Sequence, residues 1–145
     1  MLLVIAELRQ AWLLAGVLAI LPCVSAAGLT IEVLGVRSND GQVHFGLYDN
    51  PGTFPTKYGR LAGAQQDVLE NRAVSVFKGL KPGRYAVAVF HDENGNGEFD
   101  QVFFGLPVED FGFSNGAVAF FGPPGFDDAA VLLPPEGAKI IIRID

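Results

Sequence analysis

The sequence contains very little cysteine. Cys23 is the only one among 145 residues, and it lies in an N-terminal segment that we predict to be removed. The chain from Ala27 onward then has no thiol, which excludes a disulfide framework. A domain of this kind must be held together by packing or by a bound ion.

Basic residues are also scarce. The chain has 10 Lys and Arg against 16 Asp and Glu, a formal net charge of −6. The basic residues form no cluster in the sequence. This composition argues against a nucleic-acid partner and against an anionic membrane surface.

A long apolar run occurs only near the N-terminus. Residues 11–24 carry no charge, and Val24-Ser25-Ala26 follows the small-x-small rule of a signal-peptidase site. The run is shorter than the roughly 20 apolar residues of a membrane span. We therefore predict a signal peptide over residues 1–26, and a domain over residues 27–145 that is exported to the periplasm or secreted.

Helical periodicity is rare, whereas apolar residues recur at every second position in several short runs. The runs that predict strands are 29–35, 42–48, 73–80, 84–92, 117–121 and 139–145, with a strand or helical turn around 129–133. The run at 84–92 is apolar on both faces, which is typical of a central strand. An all-β sandwich of about seven strands is expected.

Finer expectations concern the connections. The first two runs are separated by Ser38-Asn39-Asp40-Gly41, which predicts a hairpin. Residues 60–72 are the one stretch with helical character, and Lys81-Pro82-Gly83 is a type II turn signature.

Three segments together carry a family resemblance. These are GLKPGRYAVAVFHDENGNGEFD at 79–100, FGLPVEDFGFSN at 104–115 and GPPGFDDAAV at 122–131. The chain resembles the bacterial domain-of-unknown-function 2141 family from Leu29 to Ile144. The resemblance implies a small exported protein with an immunoglobulin-like or transthyretin-like sandwich, and it implies no particular activity.

The polar stretch after the central strand has the spacing of a calcium loop. Oxygen-bearing groups stand at positions one, three, five, seven and nine of the loop, and the predicted ligands are Asp92, Asn94, Asn96, Glu98 (through its carbonyl) and Asp100. Gly97 occupies position six, where the chain must turn sharply. The spacing predicts a site for calcium, an ion that prefers hard oxygen ligands.

Position twelve, where a bidentate Glu is expected, is Phe103. A remote carboxylate could close the site, and the candidates are Glu109, Asp110, Asp127 and Asp128. The alternative is a loop without a cofactor, in which Asp and Asn side chains bond to their own backbone.

Catalytic chemistry is poorly supported. Gly112–Gly116 matches G-x-S-x-G, but no helix is expected after Ser114 and both histidines lie upstream. His91 is expected to bond a loop carbonyl at a sheet edge, and His44 to face solvent. We therefore predict that the protein is not an enzyme.

Phenylalanine crowds the second half of the chain: Phe103, Phe104, Phe111, Phe113, Phe120, Phe121 and Phe126. Such residues could pin loops onto the sandwich, or present a surface to a partner. The expected function is a non-enzymatic binding or accessory module that contacts a protein. The alternative is a small carrier that holds an apolar ligand among these rings.

Overall fold

The computed structural model describes residues 26–144, so the predicted signal peptide lies outside the described residues except for Ala26. Eight strands are present: β1 Ala27–Leu34, β2 Gln42–Tyr48, β3 Ala62–Asp67, β4 Arg72–Leu80, β5 Gly83–Asp92, β6 Phe111–Phe113, β7 Val131–Leu133 and β8 Ala138–Arg143. One helical turn, α1, spans Phe126–Ala129, and three 3₁₀ turns occupy Lys57–Gly59, Phe103–Gly105 and Ser114–Gly116. Among these residues, no helix is long and apolar enough to cross a membrane.

The strands form two sheets, which confirms the expected all-β sandwich. The first sheet has the order β4-β1-β8, and the second has the order β3-β2-β5-β6 with β7 paired to the other part of β5. All pairs are antiparallel except β1 with β8.

The core lies between the two sheets and follows the period-two pattern of the sequence. Leu29, Ile31 and Val33 on β1 have no exposed surface, and the same is true of Phe45 and Leu47 on β2. These side chains belong to one apolar cluster. Full burial of each contributes about 1.5–3 kcal/mol, so this cluster supplies much of the driving force for folding.

β5 is the central strand of the second sheet, as predicted. It pairs with β2 along one edge and with β6 and β7 along the other. Ala86 and Val87 are both fully buried, although they point to opposite faces. The strand ends at Asp92 and thereby fixes the start of the polar loop.

Two connections differ from the expectation. β1 and β2 do not form a hairpin, because β1 pairs with β4 and β8 whereas β2 pairs with β3 and β5. The turn at residues 38–41 reverses the chain between sheets instead of within one.

The expected helix at 60–72 is wrong, since Ala62–Asp67 forms the edge strand β3. Its alternately half-buried and exposed side chains follow a strand period.

Two further predictions are wrong. Residues 117–121 join no strand, and the side chains of Phe120 and Phe121 are exposed. The type II turn at residues 81–83 is absent, because Gly83 already lies in β5 and lacks a positive φ. A left-handed glycine, Gly79 with φ of 75°, lies instead near the end of β4.

Candidate functional site

The polar loop begins with a buried carboxylate. Asp92 is only 2% exposed. Its Oδ1 accepts a hydrogen bond from the backbone N–H of Asn96 at 3.1 Å, and its Oδ2 accepts one from Gly97 N–H at 2.8 Å. The chain therefore wraps around Asp92, which is what a calcium loop requires of its first residue.

Two more side chains of the loop accept hydrogen bonds from backbone N–H groups two residues later in the chain. Asn94 Oδ1 accepts from Asn96 N–H at 3.0 Å, and Asn96 Oδ1 accepts from Glu98 N–H at 2.8 Å. Gly95 and Gly97 supply the left-handed backbone between them, with φ of 71° and 77°. These are successive Asx turns, so the loop has a definite shape without an ion.

Asp100 lies within the same loop and faces the two asparagines. Its carboxylate accepts hydrogen bonds from Asn94 Nδ2 at 2.6 Å and from Asn96 Nδ2 at 3.0 Å to each oxygen. The side chain of Glu98 instead points to Lys57, with Oε1 2.8 Å from Nζ. The structure thus brings together four of the five predicted side chains, and Glu98 could contribute only its carbonyl, as expected.

Glu109 is the remote carboxylate that reaches the loop. Its Oε2 accepts the backbone N–H of Asp100 at 3.1 Å, while Oε1 is buried without a hydrogen-bond partner. Burial raises the pKa of Glu109, and the negative charges of Asp100 and Asp92 raise it further. An orphaned carboxylate oxygen beside two other carboxylates is a costly arrangement.

Two of the other three remote carboxylates form ion pairs elsewhere. Asp110 forms an ion pair with Arg37, and Asp127 forms one with Arg84 at 2.7 Å. The backbone carbonyl of Asp128 accepts from Asn115. Within residues 26–144, no group of three or more His, Cys, Asp and Glu side chains is placed to hold a metal by itself. A cation here would depend on amide and carbonyl oxygens as well.

His44 is a residue that sequence reasoning misjudged. The expectation that it faces solvent is wrong, since it is 6% exposed. Its ring stacks on Phe90 with centroids 4.6 Å apart, and Nε2 lies 3.1 Å from Asp92 Oδ2. Burial lowers the pKa of His44 although Asp92 opposes this shift. A neutral imidazole donates its Nε2–H to Asp92, and Phe99 packs against Phe90 over this outer face of the sheet.

The base of the loop is also held from the β1–β2 connection. His91 Nε2 donates to the carbonyl of Asp40 at 2.6 Å, which confirms the expected contact with a loop carbonyl. Gly41 has φ of 68°, and a Cβ there would lie 1.9 Å from the carbonyl oxygen of Asp92. Only glycine fits this close approach, which fixes the start of the loop.

Ser114 has a structural role. Its Oγ accepts from Val87 N–H at 2.8 Å and donates to the carbonyl of Ala129, and the residue is 1% exposed. The Ser-Asn-Gly segment is a 3₁₀ turn that holds β5 against α1. The G-x-S-x-G match at Gly112–Gly116 thus contains a turn that holds neighbouring segments together.

Four of the phenylalanines in the second half of the chain form two groups. Phe113 and Phe126 pack with Phe54 in an aromatic cluster over the second sheet. Phe120 and Phe121 are 83% and 100% exposed, with ring centroids 4.7 Å apart. Phe121 also has a positive φ of 53°, which is uncommon for a bulky residue.

Two cavities of about 330 and 350 Å³ are present. The first is lined by His44, Arg60, Gly63, Ala64 and Gln65, and the second by Arg37, Pro107, Val108, Glu109, Asp110, Phe111 and Ile144. Neither has Phe120 or Phe121 in its wall. Of the phenylalanines on which the carrier alternative depends, Phe111 lines the second cavity.

Comparison with known proteins gives one match. A family model described as "Uncharacterized protein conserved in bacteria (DUF2141)" matches residues 31–141. No curated protein matches the chain, and no solved structure does.

Proposed function

The chain belongs to this family of bacterial proteins, DUF2141, and from that premise we propose that it is an exported, non-enzymatic binding module whose polar loop takes up calcium. The observation that carries the calcium proposal is the surroundings of Glu109. One of its oxygens is buried without a partner, and burial raises its pKa, with a further rise from the charges of Asp100 and Asp92. A divalent cation between these groups would remove the repulsion.

The donor chemistry suits calcium rather than a transition metal. The groups around the loop are carboxylate, amide and carbonyl oxygens, which are the ligands of a hard cation. Uptake would replace the amide donors of Asp100 and turn the amides of Asn94 and Asn96 so that their oxygens face the ion. Those oxygens would then exchange the backbone N–H groups of Asn96 and Glu98 for the ion. Glu109 would stand in for the glutamate that Phe103 displaces from position twelve.

The expected affinity is weak. The loop itself supplies two carboxylates, so the dissociation constant should fall in the range of about 10⁻⁴–10⁻³ M. With a value of about 0.5 mM, about 10 mM calcium would stabilise the fold by about 1.8 kcal/mol. For a domain of this size, that corresponds to a rise in Tm of about 6 °C.

The experiment is a thermal melt of the purified protein with calcium and with chelator. Asp100→Asn and Glu109→Gln keep the shape of each side chain and should each reduce the calcium-dependent rise in Tm. Asp127→Asn is the matched control, because this carboxylate on α1 pairs with Arg84 of β5, away from the loop. An unchanged Tm in wild-type protein at about 10 mM calcium would remove the ion from the proposal.

The binding role is proposed for the aromatic loop that holds Phe120 and Phe121. Two adjacent, highly exposed rings, one of them on a residue with positive φ, do not contribute to the core, and such residues are typical of contact surfaces. We expect this loop to insert into a concave surface of a protein partner. Substitution of both residues by serine should abolish co-purification of such a partner, whereas Leu132→Ser, another exposed apolar residue, should leave it intact.

Export is proposed from the N-terminal sequence alone. If residues 1–26 are a signal peptide, intact mass measurement of the protein recovered from the periplasm or medium should show a chain that begins at Ala27. A full-length mass in the cytoplasmic fraction would contradict this part of the proposal. It would leave the calcium and aromatic-loop tests unaffected.

A further inference from the structure

The outer face of the first sheet is basic, although the protein as a whole is acidic. β1 lies in the middle of this sheet, with β4 and β8 on its two sides. The outward residues of β4 are Arg72, Val74, Val76 and Lys78, and those of β8 are Lys139, Ile141 and Arg143. We call these seven residues, with Glu32 between them, the basic face.

The register brings these side chains into one surface. Glu32 on β1 stands directly between Val74 and Ile141, and Leu34 stands between Arg72 and Arg143. Arg72 and Arg143 lie at one end of the face and Lys78 at the other. The aliphatic side chains of Val74, Val76 and Ile141 lie between them. Because residues two apart on a strand point to the same side, this arrangement follows from the backbone.

Glu32 is the one acid on the basic face, and it is already neutralised. Its two oxygens bond Arg72 Nη1 at 3.1 Å and Lys139 Nζ at 2.6 Å. The hydrogen bond from Lys139, the nearby charges of both cations and the hydrogen bond from Arg72 lower the pKa of Glu32. Four cations against one carboxylate leave the face with a formal charge of +3, whereas the whole chain carries −6.

Exposed aliphatic side chains lie in the middle of the face, beside the ion pairs of Glu32. Val74, Val76 and Ile141 are 40%, 48% and 54% exposed. Three β-branched side chains in contact with water, framed by cations, are suited to a partner with aliphatic groups framed by acids. Two copies of this face would repel each other, which excludes a face-to-face dimer.

We propose that the basic face docks an acidic segment or surface of another protein, in which carboxylates alternate with aliphatic side chains along one face. A glycan or a nucleic acid could match the cations but has no aliphatic groups to cover Val74, Val76 and Ile141. The face measures roughly 15 Å by 23 Å from strand spacing and rise, or roughly 350 Å². Such an area is typical of a transient contact with micromolar to millimolar affinity.

The test uses calorimetric titration of the purified protein with synthetic peptides at low salt. The first peptide repeats Glu-Thr-Leu-Thr, which places Glu and Leu alternately on one face of an extended strand. The second repeats Glu-Thr-Thr-Thr and has the same charge. We expect the first peptide to bind at least about 10-fold more tightly, and its binding to weaken as salt is raised.

Two pairs of variants separate charge from contact. Lys78→Glu combined with Arg143→Glu should weaken binding by about 10-fold or more, whereas Arg60→Glu, a charge reversal outside the basic face, should change it little. Val76→Ser combined with Ile141→Ser should remove the preference for the leucine-containing peptide. Leu132→Ser on β7 is the control for loss of an exposed aliphatic side chain.

Other outcomes would overturn the proposal. Equal affinity for the two peptides would mean that the face attracts anions in general. The same would follow if dextran sulfate bound as tightly as the leucine-containing peptide. Tighter, Lys78- and Arg143-dependent binding to phosphatidylglycerol vesicles would assign the face to a membrane surface. Absence of binding to either peptide at about 20 mM salt, where screening is weak, would contradict the proposal directly.

Discussion

Two glutamates of this protein have opposite surroundings. Glu32, in the middle of the first sheet, bonds Arg72 and Lys139, and its pKa is lowered. Glu109, beside the polar loop of the second sheet, has an unpartnered buried oxygen and two carboxylates nearby, and its pKa is raised. The first site is electrostatically complete within the chain, whereas the second would be completed by a cation.

The two regions differ in how their charged side chains are balanced. In the first sheet, the charge of Glu32 is balanced by side chains of the neighbouring strands. The polar loop satisfies its backbone through Asx turns but leaves its carboxylates close together. Substitutions should therefore affect the two regions with different magnitudes, and in one case with opposite sign.

The largest effect is expected at the glycine that supports the loop. Gly41→Ala would place a Cβ 1.9 Å from the Asp92 carbonyl oxygen at a φ of 68°. Overlap and left-handed strain together should cost about 4 kcal/mol of unfolding free energy, measured by urea denaturation. Gly79, near the end of β4 in the first sheet, has a φ of 75° but open space around it, so Gly79→Ala should cost about 1 kcal/mol. Equal losses would contradict the close packing of the loop base.

The next effect is expected at Asp92. Asp92→Ala would remove the acceptor of Asn96 N–H, Gly97 N–H and His44 Nε2–H in a buried position. Loss of these bonds should cost about 3 kcal/mol. The calcium-dependent rise in Tm should disappear with them. Asp127→Ala, at an exposed ion pair, should cost less than about 0.5 kcal/mol.

Glu32→Gln should change the pH dependence of stability. A carboxyl whose folded pKa is lowered stabilises the fold above its unfolded pKa, near 4.5, and this stability is lost as the pH falls through the folded pKa. The Gln variant should therefore be less stable than wild type at neutral pH, and the difference should shrink in acid. Urea midpoints measured between pH 7 and pH 3 would check this. A constant difference would show that the pairing with Arg72 and Lys139 is not its source.

Glu109→Gln should have the smallest effect and the opposite sign in chelator. Because the folded pKa of Glu109 is raised, its contribution to stability is present below its unfolded pKa, near 4.5, and is lost as the pH rises through the folded value. Removal of the charge should therefore raise the Tm slightly at neutral pH without calcium, and reduce the gain with calcium. A lower Tm in chelator would mean that the carboxylate is not under repulsion.

Much of the fold could be predicted because its signals are local. The alternation of Leu29, Ile31 and Val33 indicates which face of β1 is buried. The run at 84–92 is apolar on both faces, which indicates a central strand. Strand pairing could not be predicted in the same way. The turn at 38–41 shows where the chain reverses, but not which sheet it enters. The small and polar residues of 62–67 have no strong preference for a strand, and they form one because β2 pairs with them.

The candidate site, too, could be predicted from the sequence only in part. The positions of Asp92, Asn94, Asn96 and Asp100 follow from spacing along one loop. The choice of Glu109 among four remote carboxylates needed coordinates, and so did the burial of His44, because both depend on which loop covers the outer face of the second sheet.

The amino-acid sequence by itself determined the all-β class, the inward faces of the strands and the turn geometry of the polar loop, because each depends on neighbours within a few residues. Only the tertiary structure decided which charges meet. Glu32 acquires two cations from β4 and β8, and Glu109 acquires two carboxylates from the loop. Electrostatic energy depends on distance in space, and that distance is set by the pairing and packing of segments far apart in the chain.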